Sequence, residues 1–329
     1  MRLLVLGGSG FVGRAVADEG LAGGWDVATL NRGTRRHPDP RVRQLDGDRL
    51  LDTGLRAALG ERWDLVVDTW SGAPGVVLRA ARALEPVADR YAYVSSCSVY
   101  PYPPSAGVDE TAAPVAAVAD AEGVDYPTDK RGGELAVQAV FGDRALIARA
   151  GLILGPHEDV VRLPWWLLRI DRGGDVLAPG PEDLPLQWVD ARDLARWILS
   201  AAERGLSGPY NTVSRPGHGT MRELLGGCVA ATRSDATLHW TDAATIERAG
   251  IEAWSELPIW IPHGHEARGM HLIDSARAAA AGLTCRPLDE TVRDTWSWIL
   301  DEDRRPPLRT DRPAPGVDPE KERKALSLT

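Results

Sequence analysis

Arg2-Leu-Leu-Val-Leu-Gly-Gly-Ser-Gly-Phe-Val-Gly13 is a short apolar run interrupted by four glycines, followed by an amphipathic stretch. The run has the length and composition of a buried parallel strand, and the glycines separate it from a helix. Gly7 permits a tight turn, Gly10 lets a backbone approach a pyrophosphate, and Gly13 lets the helix pack closely on the strand. The unpaired N–H groups at the helix start, with Ser9, Phe11 and Val12 on the same turn, would face phosphates. An ordinary strand–turn–helix connection is the plainer alternative. The glycine spacing, with a strand before it and a helix after it, favours a dinucleotide site.

Strand-like and helix-like segments alternate onward from this turn. Strands are expected at Leu3–Leu6, Asp26–Leu30, Val42–Leu45, Leu65–Asp68, Arg90–Ser95 and Ala145–Ala148. Helices are expected near Val12–Ala22, Thr53–Leu59, Val76–Leu84 and Lys130–Val140. Such alternation predicts an α/β fold: a Rossmann-like, doubly wound parallel sheet with right-handed crossovers. Residues 1–155 would form this domain, with segments of about 185–213 returning to it. Residues 156–184 and 214–303 would build a smaller, discontinuous C-terminal lobe for substrate. The tail, 304–329, is rich in Pro, Arg, Asp and Lys and is expected to be disordered or loosely docked.

Composition narrows the classes. The chain has 329 residues and a formal net charge of −9, so general attraction to nucleic acid is not expected. No segment approaches the ~20 apolar residues of a membrane span, and the N-terminal run is too short for a signal peptide. Cys97, Cys228 and Cys285 show no metal-ligand spacing and suit a reducing cytoplasm, so no metal is expected. Twelve tryptophans against two phenylalanines hint at a wide apolar cavity, although core packing accounts for most of them.

Tyr126-Pro-Thr-Asp-Lys130 follows the strand-like Tyr93-Val-Ser-Ser-Cys-Ser-Val-Tyr100. Four residues apart on a helix, the phenol and the ammonium share one face. A phenol titrates near ~10, too high for neutral-pH proton transfer, and a fixed ammonium beside it favours the phenolate. That spacing alone is common on surface helices. The glycine turn before it gives it weight.

With the Gly turn, the serine-rich strand and Tyr126…Lys130 in that order, the chain resembles the extended short-chain dehydrogenase/reductases, the NAD(P)-dependent epimerase/dehydratase family. Leu45-Asp-Gly-Asp48, Arg149-Ala-Gly-Leu-Ile-Leu-Gly-Pro156 and Trp188-Val-Asp-Ala-Arg-Asp-Leu-Ala195 are further matches. The resemblance implies that Tyr126 is the acid/base and that Lys130 holds the nicotinamide ribose. Ser96 would hydrogen-bond the reacting oxygen, with Ser95 and Ser98 as its close neighbours. It further implies Asp48 near the adenine, Asp68 and Thr69 near the adenosine ribose or pyrophosphate, and Ser95, Ala150, Gly151 and Leu152 along the cofactor. Two hydroxyl donors at one oxygen suit the charge that builds there during hydride transfer.

At the end of the second strand, Thr29-Leu-Asn31-Arg32-Gly33, followed by Arg35 and Arg36, contains no carboxylate for a ribose 2′-hydroxyl. Guanidinium groups there are shaped for a 2′-phosphate, so NADP(H) is favoured over NAD(H). Two departures stand out. Nucleotide-sugar members of the family often carry Asn where this chain has Leu152 and Arg where it has Leu186, which argues against a diphosphate-linked sugar. Pro127 replaces the usual Gly and stiffens the helix start. Candidate substrate-binding residues are Cys97, His157, Trp165, Trp188 and Arg192, with Trp166, His263 and His265 behind them.

The leading expectation is a cytoplasmic NADP(H)-dependent oxidoreductase of the carbonyl reductase/alcohol dehydrogenase type, acting on a small-molecule substrate. The alternative is an NAD(P)-dependent sugar epimerase/dehydratase. A third is a non-catalytic nucleotide-sensing or RNA-associated member. A homodimer is the default for the family.

Overall fold

Leu3 and Val5 point to one face of the first strand, and Leu4 and Leu6 to the other; all four are fully buried. A strand covered on both faces is what a parallel sheet between two helical layers requires. The computed structural model describes residues 1–34, 36–309 and 313–328. It contains that sheet, with seven strands, all parallel. In chain order the first six strands are β1 (Arg2–Leu6), β2 (Asp26–Asn31), β3 (Arg43–Asp46), β4 (Trp63–Asp68), β5 (Ala88–Ser96) and β6 (Ala145–Ala150). The seventh, Gly208–Thr212, returns late and pairs beside β6. In the spatial order β11-β6-β5-β4-β1-β2-β3, β1 lies between β4 and β2, where the order reverses, so the switch point lies at the glycine turn.

Helices α1 (Phe11–Ala22), α2 (Pro74–Leu84) and α3 (Tyr126–Phe141) connect these strands. Cores form on both sides: α1 packs over Leu3, Val5 and Val27, while α2 and α3 pack over Leu4, Leu6, Tyr91 and Tyr93. α3 starts where it does because Asp125 caps it, its carboxylate accepting the Thr128 N–H at 2.9 Å. Pro127, in the first turn, removes an N–H that lacks a helical partner anyway. Thr53–Leu59, expected as a helix, closes instead as a single 3₁₀ turn at Arg56–Ala58.

The remaining chain alternates between the sheet and a second lobe. After β7 (Ile153–Leu154), α4 (Arg162–Asp171) and β8 (Asp175–Pro179), two short strands, β9 (Pro185–Leu186) and β10 (Val189–Asp190), lead into α5 (Ala191–Glu203). α5 packs beside α1 on the sheet, and the sheet strand Gly208–Thr212 is therefore β11. The chain then forms β12 (Gly219–Thr220), α6 (Met221–Thr232), β13 (Thr237–Thr241) and α7 (Ala243–Arg248). α8 (Ala276–Ala280), α9 (Leu288–Asp301) and α10 (Pro319–Ser327) complete it. α6 carries a capping box, Thr220 with Glu223.

Trp166, Trp188 and Trp260 are buried in the second lobe's own core with Leu167, Leu224 and Ile299. Most of the tryptophans are therefore packing residues, and among the described residues only Trp254 lines the large cavity discussed below.

The tail differs from expectation. Residues 313–328 are not loose: α10 lies against β8 with Ala325 fully buried and Val317 nearly so. Its Glu322 carboxylate accepts from Arg169 Nε at 2.8 Å and from the Leu177 N–H at 3.2 Å. A charged composition hid this docking because the anchor is a buried ion pair rather than an apolar stripe.

Candidate active site

The turn after β1 is shaped by its glycines. Gly7 has φ +94°, and a side chain there would meet Thr69 Oγ1 at 2.6 Å. A Cβ at Gly13 would collide with the Gly7 carbonyl, so α1 can start this close to β1 only with glycine at that position. A Cβ at Gly10 would make only an ordinary 3.8 Å contact with the Gly7 carbonyl, and among the described residues no side chain caps the first-turn N–H groups of α1, which face the cavity. Nearby, Asn31 Oδ1 accepts the Gly33 N–H at 2.9 Å while its buried Nδ2 has no partner among the described residues. An open backbone cradle and an unsatisfied donor suit the phosphate and hydroxyl groups of a dinucleotide.

Two cavities meet at Thr69 and Ser71. The larger by overall empty space, about 1840 against 1240 Å³, runs from the α1 N-terminus past the ends of β5 and β6 to the second lobe. Gly10, Phe11, Val12 and Gly13 form one wall; Ser95, Ser96, Cys97, Tyr126 and Lys130 form the opposite one. Ala150, Gly151 and Leu152 make its floor. The second cavity is lined by Gly7, Ser9, Asn31, Arg32, Asp48 and Thr69.

Lys130 is buried, and its ammonium donates to the Trp70 carbonyl at 2.6 Å and the Val94 carbonyl at 2.7 Å, above the Tyr93 ring. Burial pulls its pKa down to about 7, against the opposing pull of the Asp68 carboxylate; Arg309 and Arg49 add to the lowering. Tyr126, one helical turn earlier, is 42% exposed at the cavity mouth. Ser96 Oγ accepts the Ser98 N–H at 3.1 Å and donates to Ser98 Oγ at 3.1 Å. Ser98, which sequence reasoning had only as a neighbour, thus shares a hydroxyl pair with Ser96, and both line the cavity. Ser95 turns the other way and donates to Glu134 at 2.7 Å. Cys97 donates to the Arg149 carbonyl, and burial raises its thiol to about 12, so it is no nucleophile.

Several expected site residues lie elsewhere. Asp68 is fully buried behind the cavity, gripped by Arg49 at 2.6 and 2.7 Å, the Tyr91 hydroxyl at 2.7 Å and the Trp70 N–H at 2.9 Å. No lone pair is left for a ribose, and Arg49 lines the second cavity in its place. Arg36 is held by the Asp46 carboxylate outside that cavity, and Arg35 lies outside the described residues. Trp188 is in the lobe core beside His218. Arg192 is tied to Asp190 and Asp294. His157 packs edge-on against Trp298, and Trp165 against Trp166; neither lines either of these two cavities. His265 only caps a turn, accepting the Ala267 N–H. Sequence reasoning missed Tyr100, Trp254, His271 and the Asp159–Arg162 segment, all of which line the larger cavity. Tyr100 alone carried a signal, adjoining the serine-rich strand.

Among the described residues no group of His, Cys, Asp or Glu could hold a metal, and no helix is long and apolar enough to cross a membrane.

Residues 72–213 match the model of the NAD dependent epimerase/dehydratase family. No curated protein sequence matches the chain. Solved structures share the fold over most of its length. An epimerase candidate from Burkholderia cenocepacia is 23% identical, with TM-score 0.68, over 92% of this chain and 98% of that one. The Thermotoga maritima UDP-glucose 4-epimerase with UDP-glucose is 16% identical, with TM-score 0.69, over 92% and 99%. The Thermus thermophilus UDP-glucose 4-epimerase in complex with NAD is 20% identical, with TM-score 0.63, over 91% and 99%.

Proposed function

We propose, from the match of residues 72–213 to the model of the NAD dependent epimerase/dehydratase family, that the chain is a member of it and runs an epimerase- or dehydratase-type cycle on a small hydroxylated substrate. Its core would be reversible oxidation at one alcohol carbon. The observation that carries this is the grouping of Tyr126, Lys130 and the Ser96–Ser98 pair on one wall of a cavity whose other wall is the Gly10–Gly13 helix start. The dinucleotide would be held by the N–H groups of that helix start, by Thr69 and Asn31, and by Lys130. When bound, it supplies a hydride acceptor and donor at its nicotinamide ring. Tyr126 takes the hydroxyl proton as the carbon is oxidised and returns it on reduction. The Lys130 ammonium favours the phenolate, and a serine hydroxyl donates to the reacting oxygen.

Within the second cavity, Arg32 and the absence of a carboxylate at the end of β2 favour NADP(H) over NAD(H). A net carbonyl reductase is the second reading, favoured by the apolar floor at Leu152 where a sugar-nucleotide anchor is absent.

Mass analysis of nucleotide released from the purified protein, with thermal melts in NADPH and NADH, tests the reading. Bound nicotinamide dinucleotide, a higher melting temperature with NADPH, and product without net NADPH consumption are expected. Net stoichiometric consumption would move the assignment to the reductase. Absence of any dinucleotide binding would end both. Tyr126→Phe should abolish turnover while keeping the NADPH melting shift.

A further inference from the structure

We propose that residues 262–270 are a lid over the larger cavity, shut in this structure against the cost of one buried and unpaired guanidinium, that of Arg268. The inference goes beyond the catalytic reading above and does not depend on it.

Two irregular segments meet over that cavity. Tyr102 and Pro104 line it from the stretch after β5, and Met270, His271 and Ile273 line it from the second lobe. They touch backbone to backbone: a Cβ at Gly269 would lie 1.9 Å from the Pro104 carbonyl oxygen. Both flanks of the second segment are tied down. On one side the Trp260 indole donates to the Gly180 carbonyl at 3.0 Å. On the other, His271 Nδ1 accepts the Gln187 N–H at 3.1 Å and its Nε2 donates to the Ile259 carbonyl at 2.8 Å. The Gly107 N–H donates to the Leu272 carbonyl at 2.6 Å, and the Asp274 N–H to the Val108 carbonyl at 3.0 Å.

Between these anchors the bonding is local. The His265 N–H donates to the Pro262 carbonyl at 3.3 Å, the Arg268 N–H to the His265 carbonyl at 2.9 Å, and the Leu272 N–H to the Gly269 carbonyl at 3.0 Å. Among the described residues, the backbone hydrogen bonds of 262–270 run to residues 262–272 alone. Another part of the cavity wall is built differently: there the Arg309 N–H reaches across the chain to the Asp159 carbonyl at 3.1 Å. Gly264, at φ +77° with open space around it, gives the lid a swivel. The Tyr102 hydroxyl donates to the Glu266 carboxylate at 3.0 Å across the seam, an exposed link that water competes for.

Arg268 is 8% exposed. Its Nη2 donates to the Pro185 carbonyl at 2.6 Å, while its Nη1 is buried with no partner. Burial pulls its pKa below the ordinary value, and no carboxylate opposes that pull. Elsewhere in the molecule the buried guanidinium groups of Arg49, Arg149 and Arg169 each hold a carboxylate. A buried charge without a counter-charge is unfavourable relative to the same charge in water. Swinging the segment outward returns Arg268 to solvent, which brings the open and shut states close in free energy. A molecule filling the cavity against Met270 and His271 then favours the shut state.

Hydrogen exchange of the full chain without nucleotide reads the opening. Peroxide oxidation of Met270 reads access to the cavity, with the exposed Met1 and the buried Met221 as controls. Residues 262–270 should exchange faster than 257–261. Arg268→Leu removes the charge and should slow both that exchange and Met270 oxidation about tenfold. Gly269→Ala puts a Cβ against the Pro104 carbonyl and should speed both. If Gly269→Ala does not fold, Tyr102→Phe, which cuts the link to Glu266, serves as the opening variant. Faster exchange in Arg268→Leu overturns the proposal, because the guanidinium would then anchor the segment through the Pro185 carbonyl. Unchanged rates in that variant overturn it as well. So does slowed exchange with Met270 oxidation unaltered, since the segment would then cover no route into the cavity.

Discussion

Asp68→Asn separates a structural role for this residue from the cofactor role its position in the sequence suggests. The Asp68 side chain is fully buried and that of Arg49 is 9% exposed, joined by two contacts of 2.6 and 2.7 Å. Asparagine keeps the shape but leaves the guanidinium without its counter-charge, and it weakens the acceptors offered to Tyr91 and Trp70. Breaking a buried ion pair by removing one partner costs about 3–5 kcal/mol. Unfolding entropy of about 2.1 cal/mol/K per residue, over 329 residues, makes this a fall in melting temperature of roughly 4–7 °C. Arg49→Met added to Asp68→Asn removes the stranded charge, so the double variant should lose less than the sum of the singles. Arg49 holds the carboxyl below its ordinary range. Its contribution is therefore present above an unfolded value of ~3.9 and is lost as pH falls through the folded value, a slope the asparagine variant lacks. The assay is scanning calorimetry without nucleotide, with NADPH titration alongside. An unchanged melting temperature with NADPH affinity reduced roughly tenfold or more would show that the carboxylate faces the nucleotide, refuting the structural assignment.

Lys130, at about pKa 7 in the nucleotide-free chain, is depressed from its ordinary value, so stability from this group rises with pH between about 7 and the unfolded value of ~10.4. Dinucleotide binding brings negative charge to it and should draw in close to one proton at pH ~8; calorimetric heats that do not vary with buffer ionisation enthalpy would contradict this. Glu322→Gln leaves Arg169 and the Leu177 N–H without their carboxylate. It should lower the melting temperature by about 2–4 °C and speed hydrogen exchange across residues 313–328, and unchanged exchange there would mean that α10 is held by something else. Gly13→Ala drives a Cβ into the Gly7 carbonyl. The folded protein should lose its NADPH melting shift, and a preserved shift would show that the turn does not hold the dinucleotide.

The sheet was legible because its signals are local. β1, β2, β4, β5 and β6 carry largely apolar runs, helices separate β1 from β2, β4 from β5 and β5 from β6, and Gly7, Gly10 and Gly13 mark the switch point from a dozen residues. The second lobe was less so. β8 pairs with β13 across about sixty residues, and neither strand has a turn signal linking it to the other. Arg192 and Trp188 look like pocket residues on paper, yet what neutralises the one and covers the other lies at Asp294 and Gly219, contacts that only folding creates. Asp68 misled for the same reason: its partners are Arg49, in the loop after β3, and Tyr91, within the adjacent strand β5. Ser96 was the expected oxygen donor, but the 3₁₀ turn that follows it turns its hydroxyl toward Ser98.

The docking of α10 on β8 has a bearing on how the molecule is made. Synthesis delivers the glycine turn, the serine-rich strand and α3 within the first 150 residues, whereas Glu322 and Arg309 come more than three hundred residues after the first strand. The half that carries the glycine turn can thus assemble early, with domains maturing in order of emergence. Arg169 and the wall at Asp159 must wait for their partners until nearly the whole chain has been translated. A nascent chain stalled before residue 304 would present the glycine turn and α3 over a cavity still open on one side.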